Sequence, residues 1–519
     1  MAFQLQIQLQ PAEQLLREFL LEAAQHFPGL EIWITGGWVR DRLLGIPSSD
    51  LDLALSNLTG KEFGTFLQTF SATPEIEAKY TQKAAKLGLS RPCFSRFHIT
   101  KKNAKTCKKL ETAGGVLFGL DVDLVNLRKE VYDGQSRNPE MEFGTAAEDA
   151  SRRDATANAL FFHLERKEVV DFTGRGLQDL QAKIMRTPLD PKQTLLDDPL
   201  RVLRLIRVAG KLGFSVAPET ALCMQDPEVH GALDAMITRD RIGAELVKMM
   251  TNENSEASLK LLFECRLYSP VFVRLDSALL QLLAAQCSSW GIRSASSAWP
   301  TPLPRAYRTL ARLLDGGGSL SSLIIPDDNR HLLWILAAYS PFARLRHTLR
   351  QEIVREAASS IRAPARAVKL LDESLRNFDS IRNTVNRLHR SRGECGMAIR
   401  SWGPAWTAQL AFVMLAEALD EDATDDDAAR GCSENLWEKF SRFAVYISQE
   451  KLERASLERP LLNGREIQEL FGLEEGGKYL KGILDELIQW QFNHPSAAKD
   501  DCQNWLSQKK DDLLTPTSR

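Results

Sequence analysis

The chain has 519 residues, 44% hydrophobic and 26% charged, with 66 Lys and Arg against 68 Asp and Glu for a net charge of −2. That length suits about two to four domains, the composition is that of a globular protein, and the near-neutral balance excludes a general polycation, so any nucleic-acid surface must come from local clusters. No apolar run reaches the ~18 residues of a membrane span, so no membrane partner is expected. The 8 cysteines are scattered without a CxxC pair and read as free thiols in a reducing compartment. No basic residue precedes Arg17, so the amino-terminal end resembles neither a secretory signal nor an Arg-rich transit peptide. A cytoplasmic or nuclear protein is expected, with a mitochondrial pool left open.

In chain order, residues 12–26 carry an amphipathic helical pattern that stops at Pro28-Gly29. An apolar, β-branched strand at 31–35 runs into Gly36-Gly37-Trp38-Val39-Arg40-Asp41, with a short helix at 39–44. Ser49-Asp50-Leu51-Asp52-Leu53 then opens a second strand, to residue 56. Residues two apart on a strand share a face, so Asp50 and Asp52 stand side by side. They do so next to a glycine turn, where backbone can approach a phosphate closely. Paired carboxylates call for a divalent cation, and Mg²⁺, held by carboxylates and substrate phosphates, suits them. That is apparatus for nucleotidyl transfer. Further strands are expected at 96–100 and 120–127. The second alternates Asp121 and Asp123 with apolar residues, which makes Asp123 a third acid and Asp121 its same-face rival.

Residues 134–150 are rich in Gly, Pro, Ser, Asn and acids and read as a mobile loop. Ser151 then suits the N-cap of a helix through Arg152-Arg153-Asp154-Ala155-Thr156-Ala157-Asn158. Asp154 and Asn158, four apart, would share a face. Arg153 suits a triphosphate and Asp154 a ribose 2′-hydroxyl; an exposed, charged helix start is the plainer alternative. Asp171-Phe172-Thr173-Gly174-Arg175-Gly176 reads as a tight turn into a helix near Leu177, a connector and candidate hinge. Beyond about residue 190 the pattern is helical nearly throughout. In Asp197-Asp198-Pro199-Leu200-Arg201-Val202-Leu203-Arg204, Pro199 at the first helical position makes Asp198 the N-cap. Asp198 and Arg201 lie on one face and together offer acceptors and donors in a plane, as a base edge requires. An ion pair between them is the alternative. Thr238 reads as the cap of a scaffold helix in which Asp240 and Glu245 pair with arginines. An acidic run at 420–427 precedes a helical module at 433–505, and 509–519 reads as a disordered tail. Basic clusters lie at Lys101, Lys102, Lys105, Lys108 and Lys109, and at Arg362, Arg366, Lys369, Arg376, Arg382, Arg387, Arg390 and Arg392.

In order and spacing these motifs resemble the class II tRNA nucleotidyltransferases, the CCA-adding enzymes, and most closely their fungal and yeast-like members. Bacterial poly(A) polymerase belongs to the same superfamily. The resemblance is specific over residues 30–250 and continues to Pro460-Leu461-Leu462-Asn463-Gly464 and Trp490-Gln491-Phe492-Asn493-His494-Pro495. It departs at Asp197, where many relatives have Glu, at Val208, where an aromatic is common, and at 474–478, which lacks a Gly-Pro. It implies an α+β protein. A nucleotidyltransferase head with a small mixed β-sheet (1–165) would be followed by an all-helical neck with a base-reading helix (166–255), body (256–430) and tail (431–519). Asp50 and Asp52 would hold Mg²⁺, with Asp123 as the third acid. Gly36, Gly37 and Arg40 would handle the triphosphate, Arg153, Asp154 and Asn158 the triphosphate and ribose, and Asp198, Arg201 and Arg204 the base. Residues 133–150 would be the loop implicated in switching from CTP to ATP. The implied activity is template-independent addition of CCA to tRNA from CTP and ATP by a monomer or weak dimer. Partial enzymes adding only CC or only A, and a poly(A) polymerase, are the alternatives.

Overall fold

The computed structural model describes residues 6–89, 95–100, 112–131, 140–274, 279, 303–324, 330–387, 391–421, 430–473 and 479–514. Five of the expected basic residues, Lys101 to Lys109, and also Arg390 lie outside them. The chain forms two compact units, Met1–Ile237 and Thr238–Arg519. The boundary falls inside the stretch expected as the neck.

The first unit is built on a seven-stranded sheet. Its strands are β1 (Ile32–Thr35), β2 (Asp50–Leu55), β3 (Ser95–Thr100), β4 (Thr112–Leu117), β5 (Leu120–Asn126), β8 (Leu160–His163) and β9 (Glu168–Asp171). The order is β3-β4-β5-β2-β1-β8-β9. Only β2 and β5 run parallel; the other pairings are antiparallel, so the sheet is mixed, as expected. A separate hairpin pairs β6 (Arg128–Val131) with β7 (Glu140–Phe143).

Helix α1 (Pro11–Ala24) buries Leu15, Leu16, Phe19, Leu20 and Ala23. The Phe19 ring meets Tyr80 and Phe118 edge-on, the packing that aromatic quadrupoles favour. Helix α2 is Gly37–Leu43. Helix α3 (Gly60–Ser71) lies against β4 and β5 because two of its residues have no side chain. A Cβ on Gly60 would stand 1.9 Å from the Leu124 carbonyl oxygen, and one on Gly64 would stand 2.9 Å from the Ala113 methyl. Helix α4 is Pro74–Lys86. Ala146, Ala150, Trp33, Ala54, Leu127, Ala159 and Phe161 form a further buried cluster, which anchors helix α5 (Ala146–Ser151) on the sheet.

Two expectations fail here. The stretch 134–150 is not simply a loop: beyond 139 it supplies β7 and then α5, while 132–139 lie outside the described residues. Thr145 caps α5 by accepting from the Glu148 N–H, and Glu148 reaches back to the Thr145 N–H at 2.7 Å. That reciprocal box starts the helix six residues earlier than Ser151 would. Ser151 therefore ends the helix. Arg152 is its C-cap, Thr156–Asn158 form one 3₁₀ turn, and β8 follows.

Asp171 accepts from the N–H groups of Thr173 and Leu177 and leads into α6 (Gly176–Ala182). A Cβ on Gly176 would stand 2.7 Å from the Thr156 carbonyl, so this connector is closely packed against the 3₁₀ turn. Helices α7 (Pro191–Asp197) and α8 (Leu200–Leu212) follow, and α8 stops at Gly213 in the left-handed conformation. The Asp198 carboxylate accepts from the Leu200 N–H at 3.2 Å, the capping role expected of it.

The second unit is helical throughout its described residues. Its larger helices include Leu303–Asp315, Ala365–Asn386 and Trp406–Asp420. Thr238 stands at the N-cap of Arg239–Met250, though its side chain makes no capping bond. Asp240 meets Arg362, as expected of it, and Glu245 lies 3.6 Å from Lys248. Leu462, Ile467, Phe471, Ile483, Leu487, Cys502 and Leu506 form a separate core among the last three helices. The last of these, Lys499–Leu514, takes in the start of the stretch expected to be a disordered tail. No helix among the described residues is long and apolar enough to cross a membrane.

Candidate active site

Register, more than sequence proximity, assembles the acids. On the parallel pair β2–β5, Asp50 stands opposite Asp121 and Asp52 opposite Asp123. Leu51, Leu53, Val122 and Leu124 are buried, which turns all four carboxylates to the opposite, exposed face. The expected third acid and its rival therefore both belong to the array, with Asp123 the one beside Asp52. A cavity of about 240 Å³ is lined by Asp50, Asp52, Asp121 and Asp123 together with His98 and Gly115.

Asp52 keeps solvent access but is crowded by protein atoms. Loss of hydration raises its pKa above the usual value; Arg153 pulls it down, while Asp123 and Asp50 push it further up. A carboxylate held in that state lacks positive charge. Among the described residues no three His, Cys, Asp or Glu groups are gathered closely enough to hold a metal ion by themselves. An open set of strand carboxylates fits a hydrated divalent ion that takes its remaining ligands from water and substrate.

Gly36 closes the array on one side. It adopts φ +76° at the start of α2, a conformation that suits glycine. A Cβ there would lie 3.2 Å from Asp52 Oδ2 and 3.3 Å from Arg153 Nη1. The bare glycine thus lets an acid of β2 and an arginine after α5 converge. Gly37 packs against the Arg40 guanidinium in the same way, 3.3 Å from Nη2 to a would-be Cβ.

Beyond Gly36 the charges are paired. Arg40 is buried: its Nε donates to Asp41 at 2.7 Å and its Nη1 to the Asn158 side-chain oxygen at 2.6 Å. The amide of Asn158 donates to Asp154 Oδ1 at 2.9 Å, and Arg204 donates to Asp154 Oδ2 at 2.9 Å. Burial alone would raise the Asp154 carboxyl, but Arg204 and Asn158 outweigh it and hold the pKa below the usual range. Asp154 and Asn158 do meet as expected, across a 3₁₀ turn rather than along a helix.

Asp149, which the sequence reading missed, organises the diarginine. Its Oδ1 accepts from Arg153 at 2.9 and 3.1 Å, and its Oδ2 accepts from Arg152. Burial would raise this carboxyl too; Arg153 and Arg152 bring it below the usual range. The Thr-x-x-Glu box at 145–148 was the available signal, because a helix started there sets Asp149 three and four residues before the two arginines. Arg153 also lies over the Phe161 ring at 4.9 Å. Arg201 donates to the carbonyls of Arg152 at 2.9 Å and Thr194 at 3.3 Å, tying α8 to the diarginine turn.

Several of the expected basic residues have acidic or carbonyl neighbours. Arg382 pairs with Glu417, Arg387 with Glu394 and Lys369 with Glu373, and Arg392 donates to the Glu450 carbonyl.

Comparison with known proteins identifies the family. The poly A polymerase head domain matches residues 32–186, and a probable RNA and SrmB-binding site of polymerase A matches 213–279. The chain is 31% identical over 490 residues to the mitochondrial CCA tRNA nucleotidyltransferase of Saccharomyces cerevisiae, across 90% of this chain and 86% of that one. It is 32% identical over 481 residues to tRNA nucleotidyltransferase cca1 of Schizosaccharomyces pombe, across 91% and 90% of the two. The fold is similar to that of the Thermotoga maritima CCA-adding enzyme solved with tRNA, at TM-score 0.58 and 15% identity over 96% of each chain. Fold and site thus define a nucleotidyltransferase. Within that class, the chain belongs to the tRNA nucleotidyltransferase/poly(A) polymerase family, alongside fungal CCA tRNA nucleotidyltransferases.

Proposed function

We propose that this enzyme completes the 3′ end of tRNA, adding C, C and A from CTP and ATP without a nucleic-acid template and releasing pyrophosphate. The observation that carries the reading is the Asp52–Asp123 register pair converging with Arg153 around Gly36. The extent of similarity supports it as well. Fungal tRNA nucleotidyltransferases align over 90% or more of this chain, whereas poly(A) polymerase I of Escherichia coli aligns over 47%.

In this reading the terminal ribose hydroxyl of the tRNA attacks the nucleotide α-phosphate, and pyrophosphate leaves. Asp50 and Asp52 would hold Mg²⁺, with Asp123 completing the acidic set. Bound there, the metal would supply Lewis acidity toward the attacking hydroxyl and the leaving pyrophosphate. Arg153, held by Asp149, offers its guanidinium to the triphosphate, and Gly36 and Gly37 let the backbone approach it. Arg40 acts from behind by fixing Asn158. Asp154 and Asn158 flank the ribose. Asp198 and Arg201 present hydrogen-bonding groups to the base from the start of α8, with Arg204 holding Asp154 in place. A base that leaves one of these bonds unmade loses about 1–3 kcal/mol.

The helical remainder serves as neck (166–255), body (256–430) and tail (431–519) for tRNA, in a monomer or weak dimer. Cytoplasm and nucleus with a mitochondrial pool is the localisation we infer, the last because two of the fungal relatives are mitochondrial enzymes. Binding should weaken steeply with salt. The test supplies a tRNA ending at its discriminator base with CTP alone, ATP alone, or both. Extension by two nucleotides, none and three is expected. Repeated addition from ATP alone would make it a poly(A) polymerase. Extension by only two with both nucleotides would make it a CC-adding enzyme.

A further inference from the structure

One row of the sheet runs His98–Gly114–Asp123–Asp52–Thr35, each residue directly opposite the next on neighbouring strands. Four members carry polar side chains and one carries none. The bare position, Gly114, separates the acids from an imidazole that the proposed reaction does not use. A Cβ on Gly114 would stand 2.4 Å from Asp123 Oδ1, 2.7 Å from His98 Cε1 and 2.9 Å from His98 Nε2. Carboxylate and imidazole therefore lean into the same vacancy from opposite sides. His98 is exposed and lines the cavity that holds the four acids.

We infer that His98 is a positioning residue for Asp123: its ring, admitted by the missing side chain of Gly114, orients that carboxylate toward Asp52. Either tautomer, and the protonated ring, can present an N–H to an acceptor. Groups that orient a reactive carboxylate commonly matter about 10- to 100-fold although they never touch substrate. Asp123 needs such a partner. Its neighbour on one side is another acid, Asp52, and its neighbour on the other is a glycine. The inference rests on the carboxylate array being the reacting site.

The experiment uses the full chain, tRNA lacking its CCA end, and both nucleotides. It compares His98→Ala, His98→Gln, Gly114→Ala and the double variant His98→Ala/Gly114→Ala. His98→Ala should lower kcat by about 10-fold or more for both C and A, with tRNA affinity and nucleotide KM within about twofold. Glutamine, which keeps an N–H donor, should recover most of the loss. Gly114→Ala should fall at least as far, and the double variant no further than Gly114→Ala, because both changes break one contact. Unfolding temperatures of the two His98 variants should match the parent, since the side chain is exposed. Full kcat in His98→Ala would overturn the inference, as would equal losses in the Ala and Gln variants. Weakened tRNA binding at unchanged kcat would overturn it too, making His98 an RNA contact. Asp52→Ala run beside them separates the two levels. If it retains transfer, the site reading itself fails; if it is inactive while His98→Ala keeps full kcat, only this inference fails.

Discussion

Along β2 and β5 the carboxylates of Asp50, Asp52, Asp121 and Asp123 stand exposed, side by side. Around α5 and α8, Asp149 and Asp154 are buried, and each is matched to arginine. The two regions share the crevice at Gly36 yet differ in charge balance. Among the described residues, Arg153 does not offset what desolvation and the neighbouring Asp123 and Asp50 impose on Asp52, whose pKa stays raised. The arginine side is self-neutralised, so its donors are held in place before any nucleotide arrives. One side waits for cations; the other is preorganised, which spares binding the cost of ordering long side chains.

The largest test of that contrast is Asp52→Asn. Transfer of both nucleotides should fall by about 10³-fold or more, because the residue acts on the transition state. The same change should raise the unfolding temperature of the nucleotide-free protein at neutral pH. Asp52 titrates higher folded than unfolded, so its charge opposes folding above that raised pKa, and the penalty disappears below the ordinary carboxylate value. A lower unfolding temperature at pH 7 in a thermal scan would break the comparison.

Asp149→Ala should act in the opposite sense. Removing one member of a buried pair costs about 2–4 kcal/mol here, less than for a fully buried pair because the arginines keep some solvent. Urea unfolding should register that loss, and nucleotide KM should rise as Arg153 loses its anchor.

Arg201→Ala should cost less still. Transfer should continue, while discrimination between C and A drops by about tenfold for each ~1.4 kcal/mol of lost contact. Sequencing of the products reads this directly, and strict C-then-A order in the variant would remove the assigned role.

The smallest effect is on acid stability. Asp149 and Asp154 have folded pKa values below their unfolded ones, so their contribution is complete above about pH 4 and is lost as pH falls through the lower folded values. Asp149→Asn should flatten the acid limb of the stability curve; an unchanged limb would mean the arginines do not stabilise that carboxylate.

The acids were legible because strand alternation is local: Asp50, Asp52, Asp121 and Asp123 sit among apolar residues at period two. The Asp198 cap was legible because Pro199 follows it. Strands β4, β8 and β9 were not seen. Thr-Ala-Gly-Gly-Val-Leu of β4 weakens the β-branched signal with two glycines. Leu-Phe-Phe-His of β8 is buried throughout and has no alternation to show. Asp149 was hidden by a composition that looked like loop, although a capping box preceded it.

Taken alone, the sequence determined the residue types, their faces and several helix ends, since these depend on neighbours within a few positions. Tertiary structure decided which faces meet. The parallel register that sets Asp52 against Asp123 joins strands far apart in the chain. The Arg201 bond to the Arg152 carbonyl spans 49 residues. The approach of His98 to Asp123 depends on a third strand that contributes no side chain between them. Such pairings are selected by the packing of the whole sheet, where a slip of one residue would turn every acid inward, and no local pattern encodes that choice.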